Sequence, residues 1–440
     1  MIIHRAKTIH GRMRVPGDKS ISHRAAMLAA LAHGSSSVKS FSSSADCAAT
    51  LSCLRALGVS IETEGADLVI AGVGSVGLRK PREPLDCGNS GTTMRLLAGI
   101  LAGQDFASTL TGDASLNSRP MQRIIEPLQM MGANIRSNDG RAPLVIHGHS
   151  GLKPISYELL VASAQVKSCI LLAGLNADGR TEVIENEPTR DHTERMLRSF
   201  GVQVVTGDAK REGQNARLVA VNGPAHLNSR ELVVPGDVSS AAYFVAAAAM
   251  LPNSSLEISH VGVNPTRAIF LKQMRALGLD VEVTADSEDN QEPIGTIRAR
   301  GPGQKRSAQS DSPATIQGLV VPQLIDELPL LAVVGSQIEG GLEIRDAAEL
   351  RVKESDRIAT TVQNLRAMGA DVGEFDDGLR VAGPIRLRGA KIEPHGDHRI
   401  AMAFSVAGLL ADGETEINEP ECVAVSFPEF FELLESVVER

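Results

Sequence analysis

One pattern recurs six times along the chain, and it restricts the fold more than any other feature. A Gly-Asp or Ser/Asn-rich start precedes an Ala/Leu-rich helix. A glycine turn, a strand and a second helix ending in Leu, Met or Phe before Gly follow, and then another strand. The copies start at Gly17-Asp18, at Cys87-Gly88-Asn89-Ser90-Gly91 and at Ala162-Ser163-Ala164-Gln165. The later three start at Pro235-Gly236-Asp237, Leu324-Ile325-Asp326-Glu327 and Gly396-Asp397-His398-Arg399. Their spacing is about 70–75 residues, except between the fourth and fifth, where the polar tract 284–313 adds length. That tract reads as a hairpin and a mobile loop. The period exceeds the ~20–50 residues of ordinary solenoid repeats.

Each repeat mixes two helices with several strands, so the expected class is α/β (α+β). Six repeats in 440 residues exceed one core. The reading is two similar domains of three repeats each: 15–232, and 233–440 together with 1–14. The strand expected over 8–15 completes the second domain, because the sixth repeat ends in a helix without its own final strand. Aromatic residues are 3% and Trp is absent, so the core must be Ala, Val, Leu and Ile in closely packed helices. The same scarcity argues against a base-stacking platform, and the net charge of −9 against a nucleic-acid partner. No apolar run approaches the ~20 residues of a membrane span, and the start does not read as a signal peptide. The expectation is a cytoplasmic protein with no membrane partner. Five cysteines without a C-x-x-C motif read as reduced thiols. His147, His149, His395 and His398 lack partners at zinc spacing, so no metal is expected. Residues 72–77 match G-x-G-x-x-G. Pro81 and Pro84 follow in place of the helix that a dinucleotide site requires, so that site is rejected.

The functional signal is where the cations lie. Lys19, Ser20 and Arg24 open the first repeat. Asn89, Ser90 and Arg95 open the second, with Arg119 before its second helix. Ser163, Gln165 and Lys167 open the third, with Arg190 before its second helix. Lys353 and Arg357 lie in the fifth, and His398 and Arg399 open the sixth. Helix N-termini already carry a positive pole, so cations there imply an anionic ligand that offsets their repulsion. Their number suggests two anionic groups. Asp326, Glu354, Asp356 and Asp397 lie among them. Asp326 reads as a proton acceptor or as a plain helix cap. Glu354 reads as a functional acid or as an i,i+3 ion pair with Arg357 on a helix.

Five stretches then resemble the 5-enolpyruvylshikimate-3-phosphate synthase family. They are Pro16-Gly17-Asp18-Lys19-Ser20-Ile21-Ser22-His23-Arg24, Gly88-Asn89-Ser90-Gly91-Thr92, Ser118-Arg119-Pro120, Leu350-Arg351-Val352-Lys353-Glu354-Ser355-Asp356-Arg357 and Asp397-His398-Arg399-Ile400-Ala401-Met402. The resemblance spans essentially the whole chain. It implies two domains, each of three βαβαββ units in an inside-out α/β barrel, with the active site in the interdomain cleft. It implies transfer of the enolpyruvyl group of phosphoenolpyruvate to the 5-hydroxyl of shikimate 3-phosphate by a monomer without metal or organic cofactor. By motif, shikimate 3-phosphate would be held by Lys19, Ser20, Arg24, Ser163, Ala164, Gln165, Arg190, Asp326 and Lys353. Phosphoenolpyruvate would be held by Lys19, Asn89, Gly91, Arg119, Gln165, Arg357, His398 and Arg399. Asp326, Glu354 and Lys19 would be catalytic.

Two features depart from many bacterial and plant members. Ala424-Val425-Ser426-Phe427-Pro428 lacks a lysine before the Phe-Pro pair, and Ala164 replaces a second serine. Both resemble the family's divergent second class. That class includes glyphosate-tolerant members with alanine at the Gly91 position. Two alternatives share the architecture or the charge pattern. A UDP-N-acetylglucosamine enolpyruvyl transferase would present a cysteine on the stretch 112–119, which has none. A non-catalytic anion-binding protein would use Asp326 and Glu354 only as ion-pair partners.

Overall fold

The computed structural model describes residues 1–211, 214–302 and 313–440. The chain divides into two compact units. One, the first unit below, is Gly17–Val234 with Glu288–Glu292. The other, the second unit, is Met1–Pro16, Pro235–Ser287 and Pro293–Arg440.

The βαβαββ repeat is seen directly in the sheets. Leu85–Asp86 runs parallel to Ala107–Thr111, which pairs antiparallel with Arg141–His147, and that strand with Asn134–Asn138. Ser156–Glu158, Gly179–Glu185, Gln214–Gly223 and Val204–Arg211 repeat the order. So do Ala314–Ile316, Leu342–Ile344, Gly378–Val381 and Val372–Phe375 in the second unit. The parallel pair needs a crossover, which the buried helix supplies. The antiparallel pair needs only a tight turn. In the turn between Asn134–Asn138 and Arg141–His147, Asp139 (φ 49°) and Gly140 (φ 73°) both take the left-handed region. A two-residue hairpin turn of the primed type requires this.

The remaining repeats borrow strands from distant chain segments. Glu231–Val233, at the end of the first unit, lies parallel to Ala32–Lys39 and opens the first repeat. Thr8–Met13 lies parallel to Ser255–Gly262 and opens the fourth. Ile2–His4 pairs antiparallel with Glu414–Ile417 in the sixth. The one N-terminal strand expected to complete the second domain is two short strands, Ile2–His4 and Thr8–Met13, which enter two different sheets of the second unit. The sixth repeat also ends in a strand after all: Val438–Glu439 follows the helix Phe430–Val437 and pairs with Thr8–Met13. The expected hairpin is Asp280–Asp289 and Glu292–Arg300. The loop part of that expectation falls on 303–312, outside the described residues. No helix follows Gly77.

Helices occupy the middle of each unit and sheets its outside. Every residue of the helix Val238–Met250 is buried, as are residues 398–409 of the helix His398–Leu410. A helix that is apolar all round belongs inside a core. The strands instead alternate, as in Asp67–Val73, where Leu68 and Ile70 are buried between exposed neighbours. One face therefore meets the helices and the other meets water. Four of the five cysteines are buried, and all are unpaired. Burial pushes the Cys47 thiol up to about 12, so it packs as a small apolar group. No single helix among the described residues is long and apolar enough to cross a membrane.

Central helices can touch only if their side chains are small. A Cβ at Gly99 in the helix Gly91–Ala102 would lie 2.2 Å from the Cys169 carbonyl oxygen of the helix Ala164–Gly174. Backbone cannot yield as a flexible side chain can. Gly99→Ala is therefore expected to destabilise by ~1–3 kcal/mol or more. Thermal unfolding should shift down by several degrees, and an unchanged midpoint would contradict this helix contact.

Candidate active site

In the first unit, three helix starts carry the assigned residues. Asp18 caps the helix Lys19–Leu31, its Oδ1 accepting from the Ile21 N–H at 2.9 Å. This aims Lys19 into a short ion pair, Nζ to Asp46 Oδ2 at 2.9 Å, with both side chains largely buried. Arg24, one turn on, is buried. It donates through Nε to Thr193 Oγ1 (2.7 Å), through Nη1 to the Ser20 carbonyl (2.8 Å) and through Nη2 to Ser168 Oγ (2.9 Å). Burial lowers its pKa to about 10, with Glu194 and Asp18 opposing the shift and Arg190 adding to it. That influence places Arg190 electrostatically beside Arg24. Ser163 caps the helix Ala164–Gly174, accepting from the Val166 N–H.

A second cluster joins the other starts. Arg119 Nη2 donates to Asn89 Oδ1 at 2.6 Å, and Asn89 Nδ2 to Asp113 Oδ2 at 2.7 Å. Arg95 Nη1 donates to Gln165 Oε1 at 2.6 Å, and Gln165 Nε2 to Thr92 Oγ1 at 2.9 Å. Gly91 is the first residue of its helix. A Cβ there would lie 2.6 Å from Arg95 Nη1 and 3.6 Å from Arg119 Nη1. Asn89, Gly91, Arg95, Arg119 and Gln165 are thus one neighbourhood.

In the second unit the centre is Arg357, whose side chain is 1% exposed. It meets three carboxylates: Asp397 Oδ2 through Nε (2.8 Å), Glu354 Oε2 through Nη2 (2.6 Å) and Asp326 Oδ1 through Nη1 (3.4 Å). Burial alone would lower its pKa. Asp397, Glu354 and Asp326 together raise it above the ordinary arginine value. Arg399 lies on the other side of Asp326, Nη2 to Oδ2 at 3.8 Å. Asp397 also caps the helix His398–Leu410, which sets His398, buried, and Arg399 in its first turn. Lys353 Nζ is 3.7 Å from Glu349 Oε1. Burial depresses the Lys353 pKa, while Glu349, Asp326 and Glu354 hold it up against Arg357. Here an acid, Asp326, lies between two guanidiniums and within electrostatic reach of a lysine. Such an arrangement can neutralise an anionic substrate and accept a proton from its hydroxyl.

Several readings of the sequence need correction. Lys167 does not face a ligand. Its side chain is wholly buried, 3.0 Å from Glu185 and 2.7 Å from Glu194, so this apparent helix-start cation is an internal ion pair. Asp326 is not a helix cap; it sits in the turn between Val321–Leu324 and Leu328–Gly335. The Glu354–Arg357 pair exists, but Glu354 precedes the helix, which starts at Arg357. Gly91, the first residue of its helix, has no left-handed φ, so backbone conformation does not require glycine there. Asp46 and Asp113 escaped sequence reading, because each is an ordinary polar residue whose partner comes from another helix or loop and no local spacing marks it. Glu349, an i,i+4 partner of Lys353, was legible in the spacing and was missed.

With this geometry in view, comparison with known proteins decides the relationship. The EPSP synthase (3-phosphoshikimate 1-carboxyvinyltransferase) family matches residues 3–434. The chain belongs to the EPSP synthase family. A 3-phosphoshikimate 1-carboxyvinyltransferase from Koribacter versatilis is 52% identical over 436 residues, covering 99% of this chain and 98% of that protein. One from Salinibacter ruber is 49% identical over 440 residues, covering 99% and 98%. A solved structure of EPSP synthase from Acinetobacter baumannii superposes with a TM-score of 0.84 at 43% identity, covering 99% of this chain and 97% of that one. The enolpyruvyl transferase NikO from Streptomyces tendae shares the fold, with a TM-score of 0.75 at 18% identity over 99% and 96% of the two chains.

His23 lies between Lys19 and Arg24 in sequence and is buried, with Nδ1 2.7 Å from Thr50 Oγ1. Burial first, then Lys19 and Arg24, hold its pKa well below the ordinary value of 6.5. It therefore stays neutral when folded and takes up a proton only on unfolding. Its contribution to stability is complete above pH ~6.5 and declines as pH falls, by at most ~1.4 kcal/mol per pH unit. His23→Gln should flatten the fall in unfolding free energy between pH 6.5 and 5. Equal slopes for variant and wild type would show that His23 does not titrate on unfolding.

Proposed function

We propose that the residues of the two units act on one pair of substrates. The family's reaction is the transfer of the enolpyruvyl group of phosphoenolpyruvate to the 5-hydroxyl of shikimate 3-phosphate, releasing phosphate, and this chain carries it out. Lys19, Ser20, Arg24 and Arg190, with the helix start Ser163-Ala164-Gln165, would hold shikimate 3-phosphate, joined by Asp326 and Lys353. Asn89, Gly91, Arg119 and Gln165, joined by Arg357, His398 and Arg399, would hold phosphoenolpyruvate, with Lys19 shared. The observation that carries this reading is Asp326, flanked by Arg357 and Arg399 and sensed by Lys353.

The chemistry follows from charge and position. Two polyanions repel, and fixed cations remove that barrier while holding the reacting atoms in place. Asp326 takes the proton of the 5-hydroxyl as its oxygen attacks the central carbon of phosphoenolpyruvate. Glu354, with Lys19, delivers a proton to the methylene carbon, giving a tetrahedral adduct. The adduct then loses phosphate and a methyl proton, which restores the carbon–carbon double bond. The basic side chains stabilise charge at each stage.

A monomeric, cytoplasmic enzyme completes the proposal. The net charge of −9, which disfavours polyanionic partners, and the buried unpaired thiols support it. The two compact units support reading them as folding domains.

The direct test is phosphate release when both substrates are supplied. Asp326→Asn keeps the shape but cannot accept the proton. Its kcat should fall by ~10²–10⁴-fold, with shikimate 3-phosphate affinity largely kept. A defect confined to KM would recast Asp326 as a binding residue.

Gly91→Ala tests the phosphoenolpyruvate assignment. The residue is helical without left-handed φ, so the variant should fold. Its methyl group would push on the Arg95 guanidinium and narrow the space beside Arg119. Glyphosate is longer than phosphoenolpyruvate and should compete with it in the wild type. An overpacking penalty of ~1–3 kcal/mol corresponds to roughly ten-fold or more in the inhibition constant, a larger factor than for the phosphoenolpyruvate KM. Equal factors would remove Gly91 as the discriminating residue.

A further inference from the structure

The fourth repeat starts as the first does, but without its cation. Pro235-Gly236-Asp237-Val238-Ser239 aligns with Pro16-Gly17-Asp18-Lys19-Ser20. Both aspartates cap their helices: Asp237 Oδ1 accepts from the Ser239 N–H at 2.8 Å, as Asp18 accepts from Ile21. Val238 stands where Lys19 stands. A carboxylate of the same unit fills the positive end of this helix instead. Ser239 Oγ donates to Glu327 Oε1 and accepts from Arg267 Nη2 at 2.6 Å. Arg267 also reaches Asp237 Oδ1 at 3.4 Å and lies 4.0 Å from Glu327. Glu327 is 3% exposed, Ser239 2% and Arg267 4%, so the network is internal.

Glu327 follows Asp326 in the chain, and the two carboxylates engage opposite ends of one guanidinium. Arg399 Nη1 is 3.8 Å from Glu327 Oε1, and Arg399 Nη2 is 3.8 Å from Asp326 Oδ2. The Asp326 side chain is 20% exposed, whereas that of Glu327 is 4% exposed. Arg399 thus has an outer carboxylate, which a substrate can approach, and an inner one that is pinned. Burial would weaken the Arg399 charge, and Asp326, Tyr243, Glu327 and Asp237 together sustain it.

We infer that Glu327, fixed by Ser239 and Arg267, is the positioning residue that orients Arg399 for its substrate anion. This rests on the proposal that Arg399 holds phosphoenolpyruvate. A pinned carboxylate behind a guanidinium pre-organises its donors, so less freedom is lost on binding. Glutamine at position 327 keeps the shape and the acceptor for Ser239, but removes the charge that holds Arg399.

The test compares wild type, Glu327→Gln, Arg399→Lys and the double variant. Wild-type phosphate release comes first, because its absence would refute the functional reading whatever the variants do. Glu327→Gln should raise KM for phosphoenolpyruvate about ten-fold, equivalent to ~1.4 kcal/mol, with kcat changed less than about three-fold. Binary affinity for shikimate 3-phosphate should not change. In the Arg399→Lys background the same substitution should alter KM less than about two-fold, because the two residues act as one unit. Multiplying effects would overturn the inference, as would an unchanged KM or an equal loss of shikimate 3-phosphate affinity. If Glu327→Gln does not fold, Ser239→Ala releases one of the two pins. It should raise the same KM about three-fold, and an unchanged value overturns the inference equally.

Discussion

Everything in this protein follows from putting the helices inside. A helix buried on every side must be apolar and narrow, which is why the central helices are made of Ala, Leu, Val and Gly. The close pass of Gly99 over the Cys169 carbonyl is the extreme case. Helices packed this way admit polar residues along their length only where those find partners, as Arg24 does in Thr193 and Ser168 and Lys167 in Glu185 and Glu194. Chemistry is left to their ends, where free N–H groups and the dipole already favour an anion. The sheets, outside, carry the alternation of buried and exposed residues and need contribute nothing to the site.

The helix ends are electrostatically demanding. Lys19, Arg357 and Arg399 each lie beside a carboxylate, so these three buried charges are paired. Removing one partner of such a pair is costly, because it leaves the other charge buried and uncompensated. The acids therefore hold the guanidiniums in place. Arg357 shows the arrangement most fully, with three carboxylates around one wholly buried side chain.

The repeats share a backbone plan but not a chemistry. Lys19 and Val238 occupy equivalent places at two capped helix starts. One start carries a cation that meets Asp46, and the other is filled from within by Glu327. Lys167 is a similar divergence, a helix-start lysine turned into the core and neutralised by Glu185 and Glu194. Equivalent helix starts thus differ in whether their charge is supplied by a cation or met from within the unit.

The sequence alone was enough for the repeat, the small-residue core and the family, since each is written in local spacing or in contiguous motifs; the βαβαββ order entered only as what the family resemblance implies. It also named Lys19, Arg119, Arg357 and Arg399, because cations at helix starts violate the dipole preference and so stand out, and Asn89 and Asp326 through the motifs and cations around them. Only the tertiary structure decided which cations were already satisfied. Whether Lys167 faces a ligand depends on Glu185 and Glu194, 18 and 27 residues away, and nothing local separates it from Lys19. The same holds for Asp46 beneath Lys19, for Glu327 behind Arg399, and for the N-terminal segment, whose two short strands enter two different sheets. Pairing between distant segments is set by packing of the whole unit, and a linear pattern carries no record of it.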